Sequence, residues 1–265
     1  MARSLTGMRV LITGASAGIG LALAQGLAAG GAQLVLAARR LDRLEAVCRE
    51  LGPGHRAVAC DVADPAQCVA LVAAAQVHLG GIDTLVCNAG YGLVGDIAQT
   101  SIAQWQAILR TNLLGTTACI AAAVPLMVAQ PLIAGYRGQV MIVSSALARR
   151  GKPGAGAYCA TKAAQLSVAE ALRLELYRSH VAVTSVHPVN TATEFDQAAA
   201  SHGPPWRRGP RDPVQSATVV AAAMIRAIRQ PRREVWPHRP ARHLLALAAW
   251  WPGLADWALR RQLPP

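Results

Sequence analysis

The chain has 265 residues, 53% of them apolar but only 4% aromatic, and a formal net charge of +12 at pH 7. This length and apolar content suit one α/β domain whose core is Ala, Val, Leu and Ile, and they exclude the need for a second domain. The basic surplus comes with no nucleic-acid motif and no basic helix interleaved with aromatics, so nucleic acid is not an expected partner.

Met1 to Ser4 leads almost directly into the first strand, which leaves no room for a signal peptide. Arg9 to Ile12 reads as a short buried strand that runs through Thr13-Gly14-Ala15-Ser16-Ala17-Gly18-Ile19-Gly20 into an Ala-rich helix ending near Ala29. Gly14, Gly18 and Gly20 permit a tight turn and a close approach of backbone to a pyrophosphate, whose charge then sits at a helix N-terminus. Further short apolar strands are predicted at Gln33–Ala38, Arg56–Cys60, Thr84–Cys87, Gln139–Ser144 and Val181–His187. Helical patterns lie between them near Asp42–Leu51, Pro65–Leu79, Ile102–Ala129 and Ala157–Tyr177, with Pro125 expected to kink or end the fourth. Strands alternating with helices predict a doubly wound parallel sheet of the Rossmann type in a single domain over residues 1–240. Within it, the segment from Asp196 to Pro213, rich in Gly, Pro and Arg, predicts a lid over about 190–213.

The remaining 241–265 form a C-terminal extension. His243 to Trp251 is too short to span a bilayer, and Pro252, Gly253 and Asp256 interrupt its continuation. From Gly203 onward eleven arginines face only Asp212, Glu234 and Asp256. With Trp257, Arg260 and Arg261, the extension is expected to pack on the domain or a partner subunit in preference to lying on a membrane surface. The six cysteines lack C-x-x-C spacing and read as buried thiols of a reducing, cytoplasmic compartment.

The chemistry is read from a few side chains. Tyr158 and Lys162 stand four residues apart on one helix face in a chain with only two lysines. A lysine beside a phenol favours the phenolate and brings a group of ordinary pKa about 10 towards working range. Ser145 follows the strand at Gln139–Ser144, at the sheet edge where ligands bind in open α/β folds. At the end of the second strand, Ala38 occupies the slot where an NAD enzyme places Asp or Glu on the adenosine ribose, and Arg39 and Arg40 follow. A missing acid beside arginines suits the 2′-phosphate of NADP, with Arg39 as its first partner and Asp42 expected to cap the next helix.

Thr13 to Gly20, Cys87-Asn88-Ala89-Gly90, Thr111-Asn112, Ser144-Ser145 and Tyr158-x-x-x-Lys162, in this order and spacing, resemble the short-chain dehydrogenase/reductase family from about Leu5 to Trp236. The resemblance implies an oxidoreductase that moves a hydride between a nicotinamide and a carbonyl or carbinol carbon, with catalytic residues Asn112, Ser145, Tyr158 and Lys162. Asn112 would hold a helix distortion and a water feeding protons towards Lys162. Cofactor contacts carried over from the family are Gly14, Ser16, Gly18, Ile19 and Gly20 at the turn, and Asp61 and Val62 at the adenine. Asn88, Ala89 and Gly90 would lie near the ribose, and Pro188, Thr191 and Thr193 along the nicotinamide, with Val189 where a glycine is usual. With Arg39 and Arg40 these predict NADP(H), a hydrophobic carbonyl or alcohol substrate, and a homodimer or homotetramer. Tyr91, Leu93, Val94, Leu147, Arg149 and Phe195 are expected to line the substrate pocket. The competing reading is a catalytically silent dinucleotide-binding scaffold, which the intact catalytic quartet disfavours.

Overall fold

A computed structural model describes residues 2–195, 199, 203–204 and 213–261. The central sheet contains β1 (Arg9–Thr13), β2 (Gln33–Ala38), β3 (Arg56–Ala59), β4 (Thr84–Cys87), β5 (Gly138–Val143), β6 (Val181–Val186) and β9 (Glu234–Val235). Its order is β3-β2-β1-β4-β5-β6-β9, and every pairing is parallel. A separate parallel pair joins β7 (Asn190–Ala192) to β8 (Val214–Ser216), with Asn190 opposite Val214. This pair ties together the two ends of the predicted lid, most of whose residues lie outside the described ones.

The helices are α1 (Gly18–Ala29), α2 (Leu41–Leu51), α3 (Pro65–Leu79), α4 (Ile102–Leu109), α5 (Gly115–Ala129), α6 (Gly156–Glu175), α7 (Ala217–Arg229), α8 (Arg239–Trp250) and α9 (Pro252–Arg260). Strand periodicity sorts the core into two layers. Val10 and Ile12 of β1 face Leu23 and Leu27 of α1 and Val220 and Met224 of α7. The intervening Leu11 faces the opposite layer with Leu71 of α3 and Ala123 and Met127 of α5. Because β1 is flanked by β2 on one side and β4 on the other, the chain reverses direction across the sheet there. A crevice opens above the C-terminal strand ends, the place where such sheets bind ligands.

At three places the local structure refines or changes the expectation. The run 102–129 is continuous but not uniformly α-helical, because a π turn at Arg110–Leu114 separates α4 from α5. Pro125 does not end α5, which continues to Ala129. It lies on the exposed side, where the carbonyl of exposed Ala121 can turn to water. Asp42 does not cap α2: the helix begins at Leu41 with Arg40 as its N-cap, so Asp42 sits in the first turn, where its charge suits the helix dipole. The run 102–129 is also long and apolar enough to cross a bilayer, yet here it packs on α3, β4 and β5.

Candidate active site

The glycine turn is shaped by contacts that leave no space for side chains. Gly14 has φ +65°, and a Cβ there would lie 2.8 Å from Ala89 Cα, while a Cβ on Gly20 would run into Gly14 O and the Asn88 amide. Asn88 fastens the turn to β4: its Nδ2 donates to the carbonyls of Thr13 and Gly14, each at 3.0 Å. Thr13 Oγ1 accepts the Asn88 and Ala89 N–H groups at 3.1 Å. The first turn of α1, which has no side-chain cap, is thereby open to an anion. A glycine cradle facing an uncapped helix N-terminus fits a dinucleotide pyrophosphate.

A cavity of about 860 Å³ runs from this turn along the strand ends. Gly14, Ser16, Gly18, Ile19, Arg39, Arg40, Asp61, Val62, Asn88, Ala89, Gly90, Ser145, Tyr158, Lys162, Pro188, Thr191 and Thr193 all line it. Gly20 and Asn112 do not. Gly20 serves the packing of the turn, and Asn112 is fully buried behind the wall.

At the end bounded by α2, two residues not expected from the sequence contribute. Arg43, in the first turn of α2, and Glu194, just after β7, join Arg40 in the cavity wall. The Glu194 carboxylate lies between the two guanidiniums, 3.2 Å from Arg40 and 3.0 Å from Arg43, and Arg40 Nη2 donates to Ser16 Oγ at 3.4 Å. These arginines hold the carboxyl below its usual range. Arg43 was legible as a basic residue one turn beyond Arg39 and Arg40; Glu194, some 150 positions away, carried no local signal.

At the other end, Ser145 follows β5 and its Oγ accepts from Leu147 N at 3.1 Å. His187 steadies Ser145 from behind, with Nδ1 3.1 Å from its carbonyl and the imidazole stacked on Trp236 at 4.4 Å. Tyr158 is buried, and the edge of its ring meets Phe195 at 5.6 Å between centroids. Burial pushes the phenol pKa up, while a hydrogen bond with Ser145 works in the opposite direction. Lys162 does not bring Tyr158 down as the sequence suggests. Its Nζ stands 5.7 Å from the ring centroid and donates to Val143 O at 2.9 Å and Gln165 Oε1 at 3.0 Å. Desolvation therefore wins at both groups, holding the phenol protonated and bringing the Lys162 ammonium down to about 7.

Asn112 sits in the π turn. Its Nδ2 donates to Tyr91 O at 3.0 Å and Thr161 Oγ1 at 3.1 Å, and its Oδ1 accepts from Tyr91 N at 3.0 Å. Of the expected pocket residues, Tyr91, Leu147 and Phe195 line the cavity. Leu93 is instead buried in a small apolar cluster with Tyr158, and Arg149 is drawn away by ion pairs with Glu234 and Glu170. Val94 is not among the lining residues. Arg150 takes the place expected of Arg149 and binds the C-terminal hairpin through Asp256 at 2.5 Å and Pro252 O at 3.3 Å. That hairpin, α8 and α9, roofs the cavity with Ala241, Leu244, Leu245, Ala248, Ala255, Ala258 and Leu259.

Residues 8–203 match the short chain dehydrogenase family, and the chain belongs to it. An uncharacterized oxidoreductase of Mycobacterium tuberculosis is 31% identical, covering 100% of this chain and 97% of that protein. Galactitol 2-dehydrogenase of Agrobacterium fabrum is 32% identical over 74% of this chain and 75% of its own. Glycine betaine reductase of Emericella nidulans is 37% identical over 86% of this chain, which spans only 18% of that much longer protein. Among solved structures, a short chain dehydrogenase/reductase from Burkholderia phymatum in complex with NAD superposes with TM-score 0.84 at 24% identity, covering 99% of this chain and 98% of that one. A 3-ketoacyl-(acyl-carrier-protein) reductase from Brucella melitensis, complexed with NADH, gives 0.77 at 27% identity over 89% and 99%. The chain is an oxidoreductase of carbonyls and alcohols that uses a nicotinamide dinucleotide.

Proposed function

We propose that the protein interconverts a carbonyl and a secondary alcohol on a hydrophobic substrate, with NADP(H) as coenzyme and Tyr158 as proton donor and acceptor. The observation that carries this reading is the shared cavity. One end holds Tyr158 hydrogen-bonded to Ser145, and the other holds the Arg40–Arg43 pair already gripping a carboxylate. Two guanidiniums that embrace one anionic group, beside Ala38 where an acid would repel phosphate, support a 2′-phosphate site. When bound, the coenzyme supplies or takes the hydride. Tyr158, kept protonated by burial, gives its proton to the substrate oxygen in the reductive direction, and Ser145 hydrogen-bonds that oxygen as charge develops. Lys162 has two of its three donors committed to protein and offers the third to a ribose hydroxyl in the cavity.

The apolar roof from α8 and α9, with Tyr91, Leu147 and Phe195, suits a carbonyl carried on an aliphatic or ring skeleton. Its outer side exposes Leu247, Trp250, Trp251, Leu254 and Trp257 beside Arg239, Arg242, Arg260 and Arg261. This mixture of indole, leucine and arginine favours an anionic membrane surface over a second copy of the chain, because a two-fold contact would set like charges together. Titration with NADPH and NADH, followed by turnover on a panel of apolar ketones, tests the reading. Tight NADPH binding with turnover supports it, and binding of either coenzyme with no turnover on any ketone or alcohol would favour a scaffold.

A further inference from the structure

Gln165 lies three residues beyond Lys162 on α6, fully buried, and neither a core role nor a pocket role accounts for it. A buried primary amide needs partners for both ends, and here both ends go to the catalytic machinery. Its Oε1 accepts from Lys162 Nζ at 3.0 Å. Its Nε2 donates to the carbonyl of Asn112 at 2.5 Å and lies 3.0 Å from Thr116 Oγ1. The Asn112 carbonyl is available because the π turn at Arg110–Leu114 interrupts the regular helix ladder, and Thr116 Oγ1 also donates to it at 2.9 Å. The family resemblance puts a water between Asn112 and the lysine; in this chain a covalently held amide makes that connection.

We infer that Gln165 is a positioning residue, a fixed bridge from the π-turn carbonyl of Asn112 to the Lys162 ammonium that aims the lysine's remaining donor at the coenzyme. The inference rests on the catalytic reading given above. Its physical content is that the ammonium, buried at the cavity wall, is oriented and its charged form favoured by neutral acceptors, Val143 O and Gln165 Oε1. The titratable groups nearby are the phenol of Tyr158 on the same helix and Tyr91, whose backbone Asn112 holds from the loop after β4; from β5 and the π turn Lys162 meets only neutral groups among its described partners. Removing the amide oxygen disfavours the charged lysine, and replacing it with a carboxylate favours it, so two substitutions at one site act in opposite directions.

The chain's having only Lys152 and Lys162 makes the lysine directly observable. In protein labelled at lysine Cε, two NMR signals are expected, and Lys152→Arg identifies which is Lys162. Gln165→Met moves the Lys162 midpoint down and Gln165→Glu moves it up, each by on the order of one pH unit. Kd for NADPH measured against pH follows the same order, weakening at lower pH in the Met variant and at higher pH in the Glu variant. If Gln165→Met does not fold, Gln165→Asn, whose amide is one methylene too short to span the gap, gives the same downward shift. Midpoints that stay at the wild-type value, or that move the same way in the Glu and Met variants, overturn the inference. Failure of the catalytic reading is separate: it shows as retained turnover in Tyr158→Phe whatever Gln165 does.

Discussion

On the NADP(H) reading proposed above, Glu194 bears on coenzyme choice without touching the chemistry. Its carboxylate lies between Arg40 and Arg43, the pair to which the proposed reading gives the 2′-phosphate. Phe195 keeps the segment in position through its N–H bond to Thr193 Oγ1 and its ring contact with Tyr158. A phosphate entering the pair must displace this internal anion, whereas a coenzyme with a plain ribose need not. Glu194→Gln is therefore expected to tighten NADPH binding roughly threefold to tenfold at low salt, the size expected for two exposed ion pairs, and to leave NADH unchanged. Fluorescence titration with both coenzymes at two ionic strengths checks this, because the gain should shrink as salt screens the arginines. An equal change for NADH would show that Glu194 acts on the turn as a whole and not on the phosphate.

At the scale of elements, the C-terminal hairpin makes the sharpest demand. Neither α8 nor α9 buries a residue completely, yet both contribute to the cavity wall, and α8 packs on the turn Ala146–Ala148 that follows Ser145. Removing residues from Ala241 onward is expected to raise KM for long apolar ketones severalfold while leaving Kd for NADPH close to wild type, since the coenzyme end of the cavity is built by β1, β2 and α2. The intact protein should sediment with anionic vesicles and be released as salt rises, and the truncated protein should remain in solution. The hairpin also marks the limit of what sequence reveals. Strands such as Gln33–Ala38 and Thr84–Cys87 were legible because parallel strands covered on both faces are unbroken apolar runs. The residues gathered at the site were legible where a spacing carries meaning, as in the glycine turn and Tyr158-x-x-x-Lys162. Gln165 and Glu194 were not, because an amide inside a helix or an acid after a strand means nothing until the fold sets it against Lys162 or Arg40. The π turn was not legible in composition, since 102–129 reads as an ordinary apolar helix; only the resemblance, which implies a helix distortion at Asn112, pointed to it.

For the whole molecule, the buried lysine has a cost that function explains. Lys162 is 4% exposed and its ammonium is brought down to about 7, against an ordinary value near 10.4. Between those values the unfolded chain binds the proton that the folded chain has released, so this group's contribution makes stability rise with pH across that window and fall as pH drops towards 7. Lys162→Met should consequently be more stable than wild type at pH 6, by at most about 5 kcal/mol, with the difference fading as pH approaches 10. Denaturant unfolding of both proteins at pH 6, 8 and 9.5 measures it, and a pH-independent difference would mean that Lys162 is not desolvated in solution. A residue that weakens the fold at neutral pH, in a chain that otherwise uses arginine for nearly all its cations, is best understood as retained for chemistry.

In the proposed function Tyr158 transfers the proton while the rest of the cavity binds coenzyme. Tyr158→Phe removes the hydroxyl and keeps the ring that packs against Phe195, so it separates the two functions. The measurement is turnover on an apolar ketone together with Kd for NADPH in the same preparation. Turnover is expected to fall at least a hundredfold, within the range of a lost general acid, with Kd within about twofold of wild type. Turnover near the wild-type rate in Tyr158→Phe would contradict this reading.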